Sequence, residues 1–395
     1  MRRHAATLAI WVFIAFAPSQ ARTQEETNDL KAVAQRIETL VEKDFYRKVD
    51  FPTLGEDVNA HRIDQALHAL GASHTRRIPK DTIDYFEIFD IYNRSLAKEI
   101  PRLFHSQRDV SYRGIGIAPR IIDGKTFVAD VYGGSPAARA GIRVGDEIVA
   151  VNGKPYQQID SFADPALATA KLNLRRAAEG PTFDAPVEVK TIRPDDAFRA
   201  ATNDSIRVIQ QGNRRIGYVR LWTMHDYEVH DAVQKELGAG RLKDVDVLIV
   251  DLRGRWGGYV GRLADVFSPR GSQIEFIDRD GRASFAPLRW RKPVVGIIDE
   301  GSRSAMEILA YVMKKNGAQL VGTRTAGAVL GGEVSMLPDD SLLMLAASQV
   351  LVDGESLEGK GVSPDVAIPY PLAYSDGADP QFDAALKAAT ELLGP

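Results

Sequence analysis

The stretch Pro293–Gly332, PVVGIIDEGSRSAMEILAYVMKKNGAQLVGTRTAGAVLGG, constrains the fold more than any other part of the chain. Pro293–Ile298 is a short apolar run rich in β-branched residues, the composition of a buried strand. A polar turn, Asp299–Arg303, follows, and then Ala305, Ile308, Leu309 and Val312 recur at helical spacing. The chain therefore passes from strand to helix at about Ser304. A serine there has two physical roles open to it. Its hydroxyl can cap the helix, which position alone favours. It can also act as a nucleophile, because the free N–H groups and positive dipole end of a helix start can stabilise a developing oxyanion.

The chain has 395 residues, 44% hydrophobic and 26% charged, an ordinary globular balance with room for two or three domains. A net charge of -3 makes no electrostatic case for nucleic acid or an anionic membrane as partner. There is no cysteine, which excludes disulfides, a lipid-modified thiol, thiolate metal sites and a thiol nucleophile. Arg2 and Arg3 precede the apolar run Ala5–Ala17, and Ser19-Gln20-Ala21 offers small residues where a signal peptidase reads. Residues 1–21 are thus expected to be a signal peptide cleaved after Ala21, exporting the chain and leaving no membrane anchor. The run is shorter than the roughly 20 residues of a span.

Residues 22–108 read as a helical region, with amphipathic faces over Asn28–Phe45, Ala60–Leu70 and Thr82–Pro101. Ala72-Ser73-His74-Thr75 falls in a turn after Gly71. Over 109–195 the pattern becomes short β runs split by glycine turns: YRGIGI, TFVADVYGGSPAARAGI and GDEIVAVNG. This segment resembles a PDZ domain. The resemblance implies that Arg113, Gly114 and Ile115 form a loop presenting N–H groups to a peptide's terminal carboxylate, the peptide adding as a strand. An inserted helix and loop are expected within Gln157–Pro186, and a closing strand at Val187–Ile192. After a loop near Pro194–Ser205, residues 196–395 read as α/β: strands Ile216–Leu221 and Val245–Leu252, alternation through Val334, and a last helix Phe382–Leu393.

Asp251-Leu252-Arg253-Gly254-Arg255-Trp256-Gly257-Gly258 directly follows a buried strand. A glycine pair there allows close backbone approach, and its N–H groups can supply half of an oxyanion hole or simply make a tight turn. Taken with S-A-x-E at Ser304–Glu307, LVG-x-x-T-x-G at Leu320–Gly327 and EG-x-GV-x-PD at Glu358–Asp365, this resembles the serine peptidases that include C-terminal processing (tail-specific) proteases and the tricorn core protease. The resemblance implies an α/β fold with a ClpP/crotonase-like core, an inserted, mostly β PDZ domain and an N-terminal helical region. It also implies serine-type hydrolysis of peptides or proteins on Ser304, with no cofactor. Gly257 or Gly258 and Ala305 would supply the oxyanion hole.

Tail-specific members carry a lysine base in T-F-G-K-G; here Ala328 holds that position. Lys314 and Lys315 lie about three turns from Ser304, and Lys360 sits in a loop. The tricorn branch instead uses serine, histidine and glutamate with a second serine. By that likeness His74 is the general base, Ser73 its neighbour and Glu358 the orienting group, with Glu355 as the alternative register. His74 could otherwise be an ordinary surface-turn histidine. His105 is the reserve base, and His225 and His230 are expected to face solvent. No metal-ligand spacing is present. The family resemblance favours the periplasm. The rival reading is a non-catalytic ligand- or peptide-binding protein, or a PDZ adaptor, on the same fold.

Overall fold

The computed structural model describes residues 20–394 except 56, 105–108, 255–256, 271–273 and 278–282. Residues 1–19 of the proposed signal peptide and the reserve base His105 lie outside the described residues. Among the described residues, no helix is long and apolar enough to cross a membrane.

The N-terminal region contains α1 (Gln20–Asp44), α2 (Ala60–Ala69), β1 (Arg76–Ile78), α3 (Ile83–Ile91) and α4 (Ile100–Leu103). It is not all-helical as expected: β1 pairs with a strand more than 260 residues later, Arg76 lying opposite Met344. Nor is Thr82–Pro101 one helix. It stops at Ile91, turns, and makes only a single further turn at Ile100–Leu103. The PDZ-like region follows with β2 (Tyr112–Gly114), β3 (Ile117–Ile122), β4 (Lys125–Val131), α5 (Pro136–Arg139), β5 (Glu147–Val151), β6 (Thr169–Arg175), β7 (Thr182–Glu188) and β8 (Lys190–Ile192). Strands β3 to β7 form one antiparallel sheet in sequence order, with β3 at a free edge. The expected insertion is instead one 3₁₀ turn, Asp160–Phe162, plus the long hairpin β6–β7. Alternation Ala170, Leu172, Leu174 inward explains β6, because those positions have period two and are fully buried.

Next come α6 (Pro194–Ser205), β9 (Arg207–Gln211), β10 (Arg214–Arg220), α7 (Tyr227–Gly238), β11 (Val247–Asp251), α8 (Gly261–Val266), β12 (Ile274–Ile277) and β13 (Ala283–Ala286). The chain then runs through β14 (Val294–Ile298), α9 (Ala305–Lys315), β15 (Gln319–Gly322), β16 (Gly331–Met336), β17 (Leu342–Ser348), β18 (Val366–Ala367) and α10 (Pro380–Leu392). Pro194–Ser205 is a helix where a loop was expected. Pro194 at its start and Asp195 and Asp196 in its first turn suit a helix N-terminus, and Phe198 and Ala201 pack on Tyr132 and Trp222. The turn-like residues Asn203, Asp204 and Ser205 fall only at its end.

The core sheet has the order β18-β15-β14-β11-β10-β9, parallel except for β9. Strand β11, VLIVD, is buried at every position because helices cover both faces. Ile249, Ile297 and Val321 meet α10, whereas Leu248 and Val250 meet Val233, Leu263 and Leu309 from α7, α8 and α9. A second sheet, β1-β17-β16, carries α1 and α2 on it through Val33, Ile37, Ile63 and Leu67.

Candidate active site

Ser304 ends the turn between β14 and α9, with φ +57° and ψ −127°. That left-handed region is costly for a non-glycine residue and is held only where surroundings impose it. Here the Ser304 N–H donates to the Ala328 carbonyl at 2.8 Å. The hydroxyl makes no capping bond to the helix, so the capping role that position favours is not the one adopted. Glu307, the acid of S-A-x-E, is fully buried one turn on. It accepts from the Thr325 hydroxyl and from the N–H groups of Gly327 and Ala328, both at 2.7 Å, which straps the 325–328 loop against α9. Ala328, where tail-specific relatives carry lysine, is thereby held against the backbone of Ser304.

The glycine turn reaches the same place from β11. Asp251 and Arg253 form a buried pair: Asp251 Oδ1 accepts from the Arg253 N–H and Nε, and Oδ2 from a terminal nitrogen at 2.7 Å. Arg253 also donates to Asp379, which is the N-cap of α10, and Asp251 takes the Tyr218 hydroxyl at 2.9 Å. Although burial pushes its carboxyl upward, the Arg253 guanidinium beside it holds Asp251 well below the usual carboxylate range. The Asp and Arg of the D-L-R motif are thus structural; they set the start of the turn.

Downstream, a Cβ built on Gly257 would lie 2.2 Å from the Ala305 nitrogen, so only glycine allows that approach. As the first helical residue, Ala305 has an N–H with no intrahelical acceptor. Gly258, at φ +117°, sits against the backbone of His225, where a Cβ would come within 2.3 Å. Gly257→Ala should therefore separate the turn from the helix start, with kcat reduced about 10²-fold or more and KM changed little, measured on any turned-over peptide. A loss below about threefold would mean that Gly257 does not shape the site.

His225 does not face solvent as expected. Its Nδ1 is 2.7 Å from the Thr223 hydroxyl and its Nε2 2.8 Å from Asp195. Asp90 accepts from the Asp195 N–H at 3.0 Å, and burial together with the Asp195 charge pushes Asp90 up to about 7. His230 is likewise fully buried, with Nε2 2.8 Å from the Met224 carbonyl. Sequence periodicity missed the burial of His225 and His230 because it depends on tertiary contacts: His225 lies against Gly258 and reaches Asp195 on α6, and the His230 ring stacks on Tyr259.

Ser73 and His74 close the site from the N-terminal region. His74, in the left-handed region at φ +56°, is only 7% exposed, which removes the surface-turn alternative. Strand β1 begins two residues later and is fixed to β17. On the other side Gly332, at the start of β16, lies against the His74 ring. Glu358 Oε2 accepts from the Ser73 hydroxyl at 2.8 Å, and Oε1 from the Ser73 N–H at 2.9 Å. The same Oε2 accepts from Val329 N–H at 2.8 Å and Leu330 N–H at 3.2 Å. Ser73 Oγ is 3.0 Å from His74 Nδ1. A hydroxyl that donates its one hydrogen to a carboxylate can only accept from the ring, so Nδ1 carries the proton and Nε2 presents a lone pair. Burial lowers the His74 pKa to about 4, against an opposing pull from Glu358 and with Arg303 and Arg76 lowering it further. Glu355 is exposed and its backbone pairs with Val352, so Glu358 is the glutamate brought to His74.

Two expectations for other residues change. Arg113 and Gly114 are not a free loop: they belong to β2, opposite Thr191 and Lys190 of β8. The Arg113 side chain reaches the carbonyls of Phe162 and Leu167, and Ile115 is buried. Lys314 and Lys315 pair with Asp365 and Asp353 on the surface, and Lys360 is exposed. No group of acids and histidines among the described residues could hold a metal.

Residues 215–368 match the profile of peptidase family S41, and residues 127–164 that of the PDZ domain. The core is thus similar to peptidase family S41. Similar proteins include the carboxy-terminal processing proteases CtpB and CtpA of Bacillus subtilis (strain 168), 27% and 26% identical over 73% of this chain. The matched regions span 62% and 63% of those proteins' lengths. Among solved structures, an S41 protease-family chain from Bacteroides fragilis NCTC 9343 aligns over 90% of this chain and 97% of its own, with TM-score 0.53 and 14% identity, a likeness of fold.

Proposed function

We propose that the chain is an exported serine endopeptidase that cleaves peptides or proteins through an acyl-enzyme on Ser304. The observation that carries this reading is the chain of contacts Glu358–Ser73–His74, which leaves His74 Nε2 as a buried proton acceptor. In this reading Nε2 takes the Ser304 proton as the hydroxyl attacks the carbonyl. The Ala305 N–H and the N–H of Gly257 or Gly258 receive the oxyanion, and His74 returns the proton to the leaving amine. Water activated by His74 then releases the acyl group. The PDZ domain would present a substrate tail, added along the free edge of β3, with the turn after Arg113-Gly114-Ile115 at its end. The expected signal peptide supports a periplasmic or extracellular location for this activity, which the mass of the exported protein would check: the mature chain should begin at Arg22.

A fluorophosphonate probe read by intact mass tests the chemistry. The wild type should gain one adduct, Ser304→Ala none, and His74→Ala should react at least about 10²-fold more slowly. A folded wild type that gains no adduct with or without peptides would favour the ligand-binding reading instead. The labelling rate should also stay high on acidification. With His74 lowered to about 4, its ring is still neutral at pH 5 to 6, so the rate should fall only as pH drops through about 4. A midpoint near 6.5 would mean a solvated base.

A further inference from the structure

His230 is a buried titratable side chain to which the Glu358–Ser73–His74 relay gives no role. Its imidazole projects from α7 and is fully buried, with Nε2 2.8 Å from the Met224 carbonyl. A carbonyl only accepts, so Nε2 carries the hydrogen. Nδ1 has no hydrogen-bond partner among the described residues, and burial lowers the pKa of the ring. The imidazole is therefore neutral, with Nδ1 bare. A buried nitrogen without a partner costs stability that an apolar ring in the same place would not. What the imidazole supplies against that cost is a hydrogen for the Met224 carbonyl.

The glycine turn rests on Met224. The Met224 N–H donates to the Gly257 carbonyl at 2.9 Å, and the Met224 carbonyl accepts from the Tyr259 N–H at 3.0 Å, so that Met224 and Gly258 pair as a single parallel bridge. That carbonyl thus takes two hydrogens, one from the turn and one from His230. The His230 ring also lies face-on to Tyr259, with centroids 6.4 Å apart, and so braces both sides of the bridge. On its far side Gly257 meets the Ala305 nitrogen, which a Cβ on Gly257 would approach to 2.2 Å. From His230 Nε2 to the helix start behind Ser304 there are two hydrogen bonds and one close backbone contact. The N–H groups assigned to the oxyanion lie at the end of that path.

We propose that His230 is a positioning residue for the oxyanion hole, holding the Gly257–Gly258 turn in place against the Ala305 N–H through the Met224 carbonyl. This rests on the peptidase reading and adds to it a residue outside the proton relay. Because His230 acts through Met224, loss of its donor should weaken stabilisation of the oxyanion and leave ground-state binding unchanged.

The test follows the rate of fluorophosphonate labelling of the full chain against probe concentration, which separates the rate at saturation from the half-saturating concentration. His230→Phe keeps a ring against Tyr259 and removes the donor, whereas His230→Gln keeps an amide N–H in the region of Nε2. In His230→Phe the saturating rate should fall about tenfold, with half-saturation within about twofold of wild type, and His230→Gln should recover the rate to within about threefold. A merely structural role would lower Tm and leave the saturating rate of the folded protein unchanged; that result overturns the proposal, and so does an equal loss in both variants. Nitrogen NMR of the wild-type imidazoles supplies an arm that needs no variant to fold: at neutral pH His230 should be protonated at Nε2 and bare at Nδ1, and the opposite tautomer overturns the proposal as well. Labelling of His230→Phe at the wild-type rate removes this inference alone and leaves the peptidase reading standing. A folded wild type that takes no label removes both.

Discussion

Glu358→Gln is expected to lower kcat by about 10⁴-fold, the size of effect seen when the orienting acid of a triad is made an amide. The reason lies in hydrogen-bond polarity. The groups hydrogen-bonded to the Glu358 carboxylate are donors: the Ser73 N–H and hydroxyl, and the N–H groups of Val329 and Leu330. An amide must turn its NH₂ toward one side of that set. Placed at the Oε2 position, it faces Ser73 Oγ and the N–H groups of Val329 and Leu330 together: the hydroxyl is forced to donate to His74 Nδ1, the ring proton moves to Nε2, where it blocks acceptance from Ser304, and the loop that holds Ala328 against Ser304 is loosened. Placed at the Oε1 position, it meets the Ser73 N–H, another donor, and pushes the Ser73–His74 turn away. Ser73→Ala should cost less, since water can replace one hydroxyl. Steady-state kinetics with circular dichroism to confirm folding would check both. A Glu358→Gln enzyme within about tenfold of wild type would show that the tautomer of His74 is set by something else.

The second large effect concerns stability. Asp251→Asn removes one partner of a pair that is 0% and 8% exposed, and leaves the Arg253 charge with Asp379 alone. Breaking a buried pair in this way costs about 3–5 kcal/mol. Thermal unfolding should show Tm lowered by about 10 °C. The pH dependence follows from the sign of the shift. The Asp251 carboxyl is held below its unfolded value, so its contribution is complete above the ordinary carboxylate pKa and is lost as acid titrates the folded carboxylate. In Asp251→Asn this part of the acid sensitivity should disappear. An unchanged Tm would mean that Asp379 and Gln381 alone suffice for Arg253.

Several elements were legible because their signal is local. The switch at Ser304 from a β-branched run to apolar residues at helical spacing needs nothing outside the segment, and α9 begins at Ala305 as read. Strand β11, apolar from Val247 to Val250, read as a buried strand, and it is covered on both faces. Glycine at 257 followed from the need for close approach, which the Ala305 nitrogen at 2.2 Å from a hypothetical Cβ makes concrete. Elsewhere local signals misled. Asn203, Asp204 and Ser205 read as a loop, but Phe198 and Ala201 found an aromatic pocket whose burial outweighed them. Arg76–Ile78 is too short to show alternation, and it is a strand only because β17 offers an edge.

The sequence by itself determined the types of chemistry present: a serine at a strand-to-helix switch, a glycine turn after a buried strand, a turn histidine beside a second serine, and no lysine at position 328. Only the tertiary structure decided which of them meet. Pairing of β1 with β17 brings Ser73 and His74 across 285 residues to Glu358, a register between distant segments that no local pattern encodes. The choice of Glu358 over Glu355 was decided the same way, by which carboxylate met the four donors that needed an acceptor once buried.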